Sequence, residues 1–223
     1  MRLVLTKVRL IFEKQGRARF ISHLDLLRCM QRAFKRAQIP IWYSQGYNPR
    51  AYIMFPLALS LGICSRCEVM DIDLTEELAP EEIIVRMNWV LPEGIRILRA
   101  AEPVMKHTEI AFAQYSVQMS GTLPSQMLQS KFMDFMNLEK IEIEKLSKKK
   151  VLNRIDIKPG ITVLNMNSGE NILSLDFRLP AGTQENLNIN VVIEAFEREM
   201  QIELENICIE RTKILSAECK DFF

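Results

Sequence analysis

The 223-residue sequence predicts an α+β protein of two tandem ferredoxin-like domains, each a βαββαβ unit with an antiparallel sheet. Three observations predict it. Strand-like and helix-like periods follow one another between Lys7 and Ala101 in the order β-α-β-β-α-β. The same order recurs between Phe112 and Leu215, with extra strand material. Lys106–Ile110 reads as a linker, which places one domain at 1–105 and the other at 106–223. The repetition is of element order, not of residues. Helices on one side of each sheet leave the second sheet face to a partner or to the sister domain.

The elements follow from local signals. Lys7–Ile21 alternates as a long strand or hairpin, broken at Gln15-Gly16 and resumed over Ala18–Ile21. Ser22 is a helix N-cap and Asp25, three residues on, completes a capping-box-like pair. The helix runs from His23 to about Gln38, where Pro40 ends it. Trp42–Arg50 is turn-rich. Ala51–Leu59 and Cys67–Leu74 are strand-like, Pro80 opens a helix over Glu81–Leu91, and Ile95–Ala101 is a strand. In the second half Phe112–Met119 is a strand. Ser125–Met136 is a helix with Met127, Leu128, Phe132, Phe135 and Met136 available to the core; Met127, Met133 and Met136 read as core before partner groove. Ile141–Lys145 and Arg154–Ile157 are short strands around Lys148–Lys150, itself read as a solvated loop. Ile161–Asn165 and Asn171–Arg178 form a hairpin, Asn188 caps a helix over Ile189–Met200, and Glu205–Leu215 is the last strand.

Composition sets bounds. With 48% hydrophobic and 26% charged residues the chain can bury a core. It has no apolar run long enough for a membrane span and no export-signal pattern at its start, so a cytoplasmic location is expected. Five widely spaced cysteines fit a reducing compartment. Cys64 and Cys67 form a CxxC with no second pair, and on a strand they point to opposite faces, so no metal is expected there. No phosphate-binding glycine loop stands between a strand and a helix, and no cofactor is expected.

The net charge of +1 hides a division. Residues 1–50 carry eleven lysines and arginines against Glu13 and Asp25, a balance of +9, and the remainder carries −8. Such a split points to a polyanionic partner for the first part, or to a solvated surface, or to docking on the chain's own acidic half. The first helix sharpens it. Leu26, Leu27, Met30, Ala33, Phe34 and Ala37 share one face, while Arg28, Arg32, Lys35 and Arg36 cluster opposite. Tyr43, Tyr47 and Arg50 flank a loop held by Gly46 and Pro49. Aromatics beside guanidinium groups suit stacking of unpaired bases, and equally a rigid turn that covers a core edge. His23, at the helix start, reads as a ligand contact, as a first-turn structural residue, or as a general base acting on a ribose 2′-OH.

The string F-x-K-x-G-x-x-R-F-I-S-H-L-D-L at Phe12–Leu26, the R-A-x-x-R-A-x-I-P at Arg32–Pro40 and the Y-S-x-G-Y-N-P-R at Tyr43–Arg50 carry a resemblance. They resemble the radical-SAM-linked proteins of the DUF2344 type, a bacterial family. Arg154–Pro159 is similar to that family's DxRP-type element. The resemblance implies a radical SAM protein as partner; this chain has no CxxxCxxC to hold such an enzyme's cluster. Tandem ferredoxin-like domains with a histidine near the first helix are also similar to CRISPR repeat-processing endoribonucleases, although no glycine-rich loop precedes the last strand here.

The expectation is therefore an RNA-binding partner of a radical SAM enzyme, acting on a structured RNA such as tRNA or rRNA. Its contacts are Arg19, His23, Arg28, Arg32, Lys35, Tyr43, Tyr47 and Arg50. The alternatives are a metal-independent endoribonuclease built on His23 and a protein adaptor whose basic helix docks on the radical enzyme.

Overall fold

A computed structural model describes residues 5–146 and 152–223. It shows a mixed α+β protein with mostly antiparallel strand pairing and four α-helices among the described residues. No helix among them is long and apolar enough to cross a membrane. The chain divides into two compact units, Met1–Ile110 with Lys220–Phe223, and Ala111–Cys219.

The first unit runs β1 (Thr6–Lys14), α1 (His23–Arg36), β2 (Ile53–Met54), β3 (Cys64–Leu74), α2 (Pro80–Val90) and β4 (Ile95–Ala101). β1 pairs antiparallel with β3 and β4, and β2 with β3, giving the order β4-β1-β3-β2. Val8, Leu10 and Phe12 of β1 and Met70, Ile72 and Leu74 of β3 alternate onto one sheet face. They pack with Leu26, Met30, Ala33 and Phe34 of α1 and Ile83 and Met87 of α2 in one core. Each of the larger side chains contributes about 1.5–3 kcal/mol by leaving water.

Two devices seat α2. Asn88 grips β4 with its side-chain amide, donating to the Ile97 carbonyl (2.9 Å) and accepting from the Ile97 N–H (2.8 Å). The grip falls where the β1–β4 register slips by one residue, between Ile11 and Phe12. Gly94 makes the turn into β4 at φ +84°, with its carbonyl on the Gln15 N–H. A Cβ there would stand 2.5 Å from the Gln15 carbonyl oxygen, so only glycine fits.

Four expectations need correction in shape. Ala18–Ile21 is not a resumed strand: Gly16 takes φ +55° and the chain coils into a 3-10 turn over Gly16–Phe20, with Ala18 buried. Ala51–Leu59 contributes only Ile53–Met54 as strand. Met127 and Met133 are exposed, because Leu128, Phe132 and Phe135 take the inward face of their helix.

The fourth correction concerns the second sheet face of the first unit, expected to be left to a partner or to the sister domain. Arg9 of β1 is only 2% exposed and Ile11 and Val69 beside it are buried. Arg9 stands opposite Asp71 in the ladder and meets it with two bonds, Nε to Oδ1 at 2.7 Å and Nη2 to Oδ2 at 2.8 Å. Phe222 lies over the guanidinium, its ring centre 4.2 Å from Cζ. The middle of this face is therefore covered by the chain's own Phe222. Lys14 is withdrawn from the surface as well: its ammonium donates to the Ile21 carbonyl at 2.7 Å.

The second unit runs β5 (Ile110–Gly121), α3 (Ser125–Asn137), β6 (Glu142–Leu146), β7 (Leu152–Asp156), β8 (Thr162–Ser168), β9 (Leu173–Pro180), α4 (Ile189–Met200) and β10 (Leu204–Ser216). Its sheet order is β10-β5-β9-β8. The expected extra strand material is a separate hairpin, β6 against β7. Lys148–Lys150 lie outside the described residues. Phe132 is the hub of the core, with ring centres of Phe135, Phe177 and Phe196 at 5.9, 5.8 and 5.2 Å. Asp156 closes the hairpin base: its Oδ1 accepts from the N–H of Ile141 and of Lys158, both at 3.0 Å. Those two backbone bonds, the Ile141 bond foremost, hold its carboxyl below the usual range. Lys158 in turn donates to the Leu138 carbonyl. The Arg154–Pro159 element is thus a structural clasp.

Removing one partner of the Arg9–Asp71 pair leaves a buried charge unmatched. Asp71→Ala is expected to lose about 3–5 kcal/mol in urea unfolding, and the double change Arg9→Met with Asp71→Leu much less. Equal losses in the two variants would show that the pair's packing, not its charge balance, matters.

Candidate nucleic-acid interface

The site grows from α1. Ser22 caps it, with Oγ accepting from the Asp25 N–H at 3.2 Å and donating to Asp25 Oδ2 at 2.8 Å. Asp25 Oδ1 takes the Arg28 guanidinium at 3.0 Å. The Ser22 hydroxyl, then Arg28, hold the Asp25 carboxyl below its ordinary range. With its apolar face spent on the core, α1 turns Arg28, Arg32, Lys35 and Arg36 outward, and all four are exposed.

α1 and α2 are tied by reciprocal bonds. Arg36 Nη2 donates to the Val90 carbonyl at the end of α2 (2.8 Å), and Arg86 Nη1 donates to the Gln38 carbonyl beyond the end of α1 (3.3 Å). Helix C-terminal carbonyls carry partial negative charge and lack intrahelical donors, which suits a guanidinium. Arg86 is steadied by Glu82 one turn back. Between the helices lies a cleft of about 530 Å³ lined by Asp25, Arg28, Cys29, Arg32, Arg36, Val90 and Pro92. It holds three guanidinium groups against one carboxylate, and that carboxylate is already engaged by Arg28. Burial pushes the Cys29 thiol upward, against the pull of Arg36 and Arg32. The cleft carries a net positive charge from its lining side chains.

The eight residues expected to act together fall into three groups. Arg28 and Arg32 line the cleft, and Lys35 shares their exposed arc. At the start of α1, Arg19 sits half-buried in the 3-10 turn with its guanidinium over Phe20 (4.7 Å), and His23 is exposed with its ring edge-on to Phe55 at 5.2 Å. Asp25 serves Ser22 and Arg28.

Tyr43, Tyr47 and Arg50 lie on the loop that leaves the other end of α1. Tyr43 bridges to Ala51, Ser44 N–H donates to the Arg50 carbonyl (2.9 Å), and Arg50 N–H donates to Ser44 Oγ (3.0 Å). Tyr47 at the tip is 100% exposed. Trp42 and Tyr52 meet edge-to-face at 6.0 Å beneath it. The 14 residues of α1 separate the two end groups by about 21 Å. A ligand touching both ends has to span about that distance.

Sequence reasoning missed four contributors. Arg36 stands in the basic cluster without an assigned contact, and Val90, Pro92 and the exposed Trp89 fall in no motif of the sequence. The spacing of Ile83 and Met87 as the inward positions of α2 already turns Val85 and Trp89 outward.

Residues 7–189 match the model of a family described as "Uncharacterized protein conserved in bacteria (DUF2344)". No curated protein matches the chain. Among solved structures, the chain is similar to one in the crystal structure of a Cbf5-Nop10-Gar1 complex. Identity is 10% and the TM-score 0.47, over 93% of this chain and 48% of that one. The chain thus spans about half the length of that solved chain.

Because the Asp25 pKa is lowered on folding, its contribution to stability is complete above about pH 4 and vanishes as pH falls through the folded value. Asp25→Asn is expected to lower the melting temperature at neutral pH, with the gap to the parent closing in acid. Ser22→Ala is expected to lose about 0.5–2 kcal/mol of capping and to move the Asp25 titration, read by carboxyl NMR, back upward. An unmoved Asp25 titration would contradict the role given to Ser22.

Proposed function

The chain belongs to the DUF2344 family of bacterial proteins, and on that premise we propose that it is an RNA-binding accessory protein that works with a radical SAM enzyme on a tRNA or rRNA. The observation that carries the reading is the arginine-lined cleft along α1. Three guanidinium groups at i, i+4 and i+8 form a ladder along one helix face. Like charges at that spacing repel by a few tenths of a kcal/mol per pair, so a phosphate backbone laid along them relieves a standing strain. The distance between the end groups of α1 favours a chain-like anion over a small one.

The strand orders β4-β1-β3-β2 and β10-β5-β9-β8, each with two helices, support reading both units as ferredoxin-like. With the sheet face of the first unit covered at Arg9, the helical side carries the RNA. The radical SAM partner is supported by the motifs at Phe12–Leu26, Arg32–Pro40 and Tyr43–Arg50, and the absence of a CxxxCxxC gives this chain the accessory part. Compartment follows the RNA: the protein acts in the cytoplasm.

The test is titration of the protein with tRNA and rRNA fragments across a salt series. The logarithm of affinity is expected to fall with the logarithm of salt at a slope of about −2 to −4, as three or four phosphates are neutralised. Arg28→Glu with Arg32→Glu is expected to lose at least about tenfold and to flatten the slope by about 2. Affinity indifferent to salt and to charge reversal removes the reading. RNA recovered intact in EDTA is expected; cleavage that His23→Ala abolishes would replace the accessory role with a nuclease. Co-purification with the radical SAM enzyme after nuclease treatment, retained by the charge-reversed variant, is expected for separate enzyme and RNA surfaces.

A further inference from the structure

The most exposed large hydrophobic side chain on a helix of the first unit, among the described residues, is Trp89, at 90%, and Val85 one turn earlier is 70% exposed. Both depart from what a solvated helix face needs. A lone exposed aliphatic is ordinary, but an indole held open on a rigid helix presents a broad planar surface to water. The neighbours of Trp89 fix where that surface stands. Val90, the next residue, lines the cleft and gives its carbonyl to Arg36. Arg86, three residues earlier, reaches the Gln38 carbonyl past the end of α1. The helix periodicity puts Trp89 about 60° from Arg86, turned away from the inward positions Ile83 and Met87. The indole thus stands on the solvent rim of α2, within a turn of both bonds to α1, beside the carbonyl that orients Arg36. Asn88, gripping Ile97 at both amide atoms, locks this turn of α2 to the sheet.

The cleft selects an anion through Arg28, Arg32 and Arg36, and the rim offers an aromatic plane. A single-stranded nucleic acid has both properties, alternating phosphates with unpaired bases. An acidic peptide would satisfy only the arginines, and a duplex hides its base faces in the stack. We propose that Trp89 is a base-stacking platform: an unpaired base lies on the indole while the adjoining phosphates sit in the cleft at Arg32 and Arg36. Val85 extends the apolar surface one turn along α2. The inference rests on the RNA reading and narrows it to a strand that is unpaired at this point. It also moves the aromatic contact from the Tyr43–Tyr47 loop to α2.

The experiment uses the full chain with Trp42→Phe, so that Trp89 is the single indole. The probes are a 12-nucleotide uridine oligomer, an RNA duplex of the same length, and heparin as a polyanion without bases. Quenching of Trp89 fluorescence by the single strand is expected, with little change from the duplex or from heparin. Trp89→Ala is expected to weaken single-strand binding by about tenfold or more, and Trp89→Phe by much less. Because Trp89 is solvent-exposed, thermal melting should be unchanged, which separates lost stacking from lost folding. Single-strand binding intact in Trp89→Ala overturns this inference and leaves the RNA reading standing. Equal quenching by heparin also overturns it, since charge alone would then suffice. No binding of either RNA by the parent at low salt removes both.

Discussion

Two arginine–carbonyl bonds, Arg36 to Val90 and Arg86 to Gln38, set the geometry on which the candidate interface depends. Each takes a positive side chain from one helix to the electronegative end of the other. Without them α1 would still bury Met30 and Phe34, but the spacing of its outer face from α2 would have no fixed value. With them, the cleft has two walls, and the wall from α2 carries Val90 and Pro92 instead of charge. Arg36 is in effect committed to the scaffold by one nitrogen and still lines the cleft. Arg32 and Arg28 complete the line, the latter moderated by Asp25. The potential in the cleft is thus graded: strongest near Arg32 and Arg36, weakest at the N-terminal end, where a carboxylate stands.

The strong cation bias of the first fifty residues does not act as one field. Arg9 is used against Asp71 and Phe222, and Lys14 against backbone carbonyls. Both lie inside the first unit, where desolvation demands a partner for every charge. What remains at the surface is narrower than the count suggests and more ordered, because a helix dictates its spacing.

Much of this was legible in the sequence where local chemistry decides. Ser22, Pro80 and Asn188 mark helix starts, and alternation marks β3 and β5. The outward arc of Arg28, Arg32, Lys35 and Arg36 followed from the spacing of the apolar residues alone. Failures came where a local period has two meanings or where the cause is remote. Ala18–Ile21 alternates like a strand, but Gly16, two residues earlier, takes a positive φ that redirects the chain. The covered sheet face could not be foreseen, because the residue that lies on Arg9 is Phe222, at the other end of the sequence. His23 and the Tyr47 loop, neighbours in sequence, leave opposite ends of α1, and closeness in sequence alone gives no measure of that separation. The Arg154–Pro159 element carries a family likeness and turned out to hold a hairpin base, through an aspartate that satisfies two backbone donors.

Phe222 belongs to the first unit, although all of the second unit is written between them. During translation the strands and helices of the amino-terminal half emerge long before the ring that shields Arg9. Until the ribosome has passed codon 222, that guanidinium and its aspartate wait with one side open to solvent. One of the earliest strands to be made is thus completed by a ring made only after the whole of the second unit.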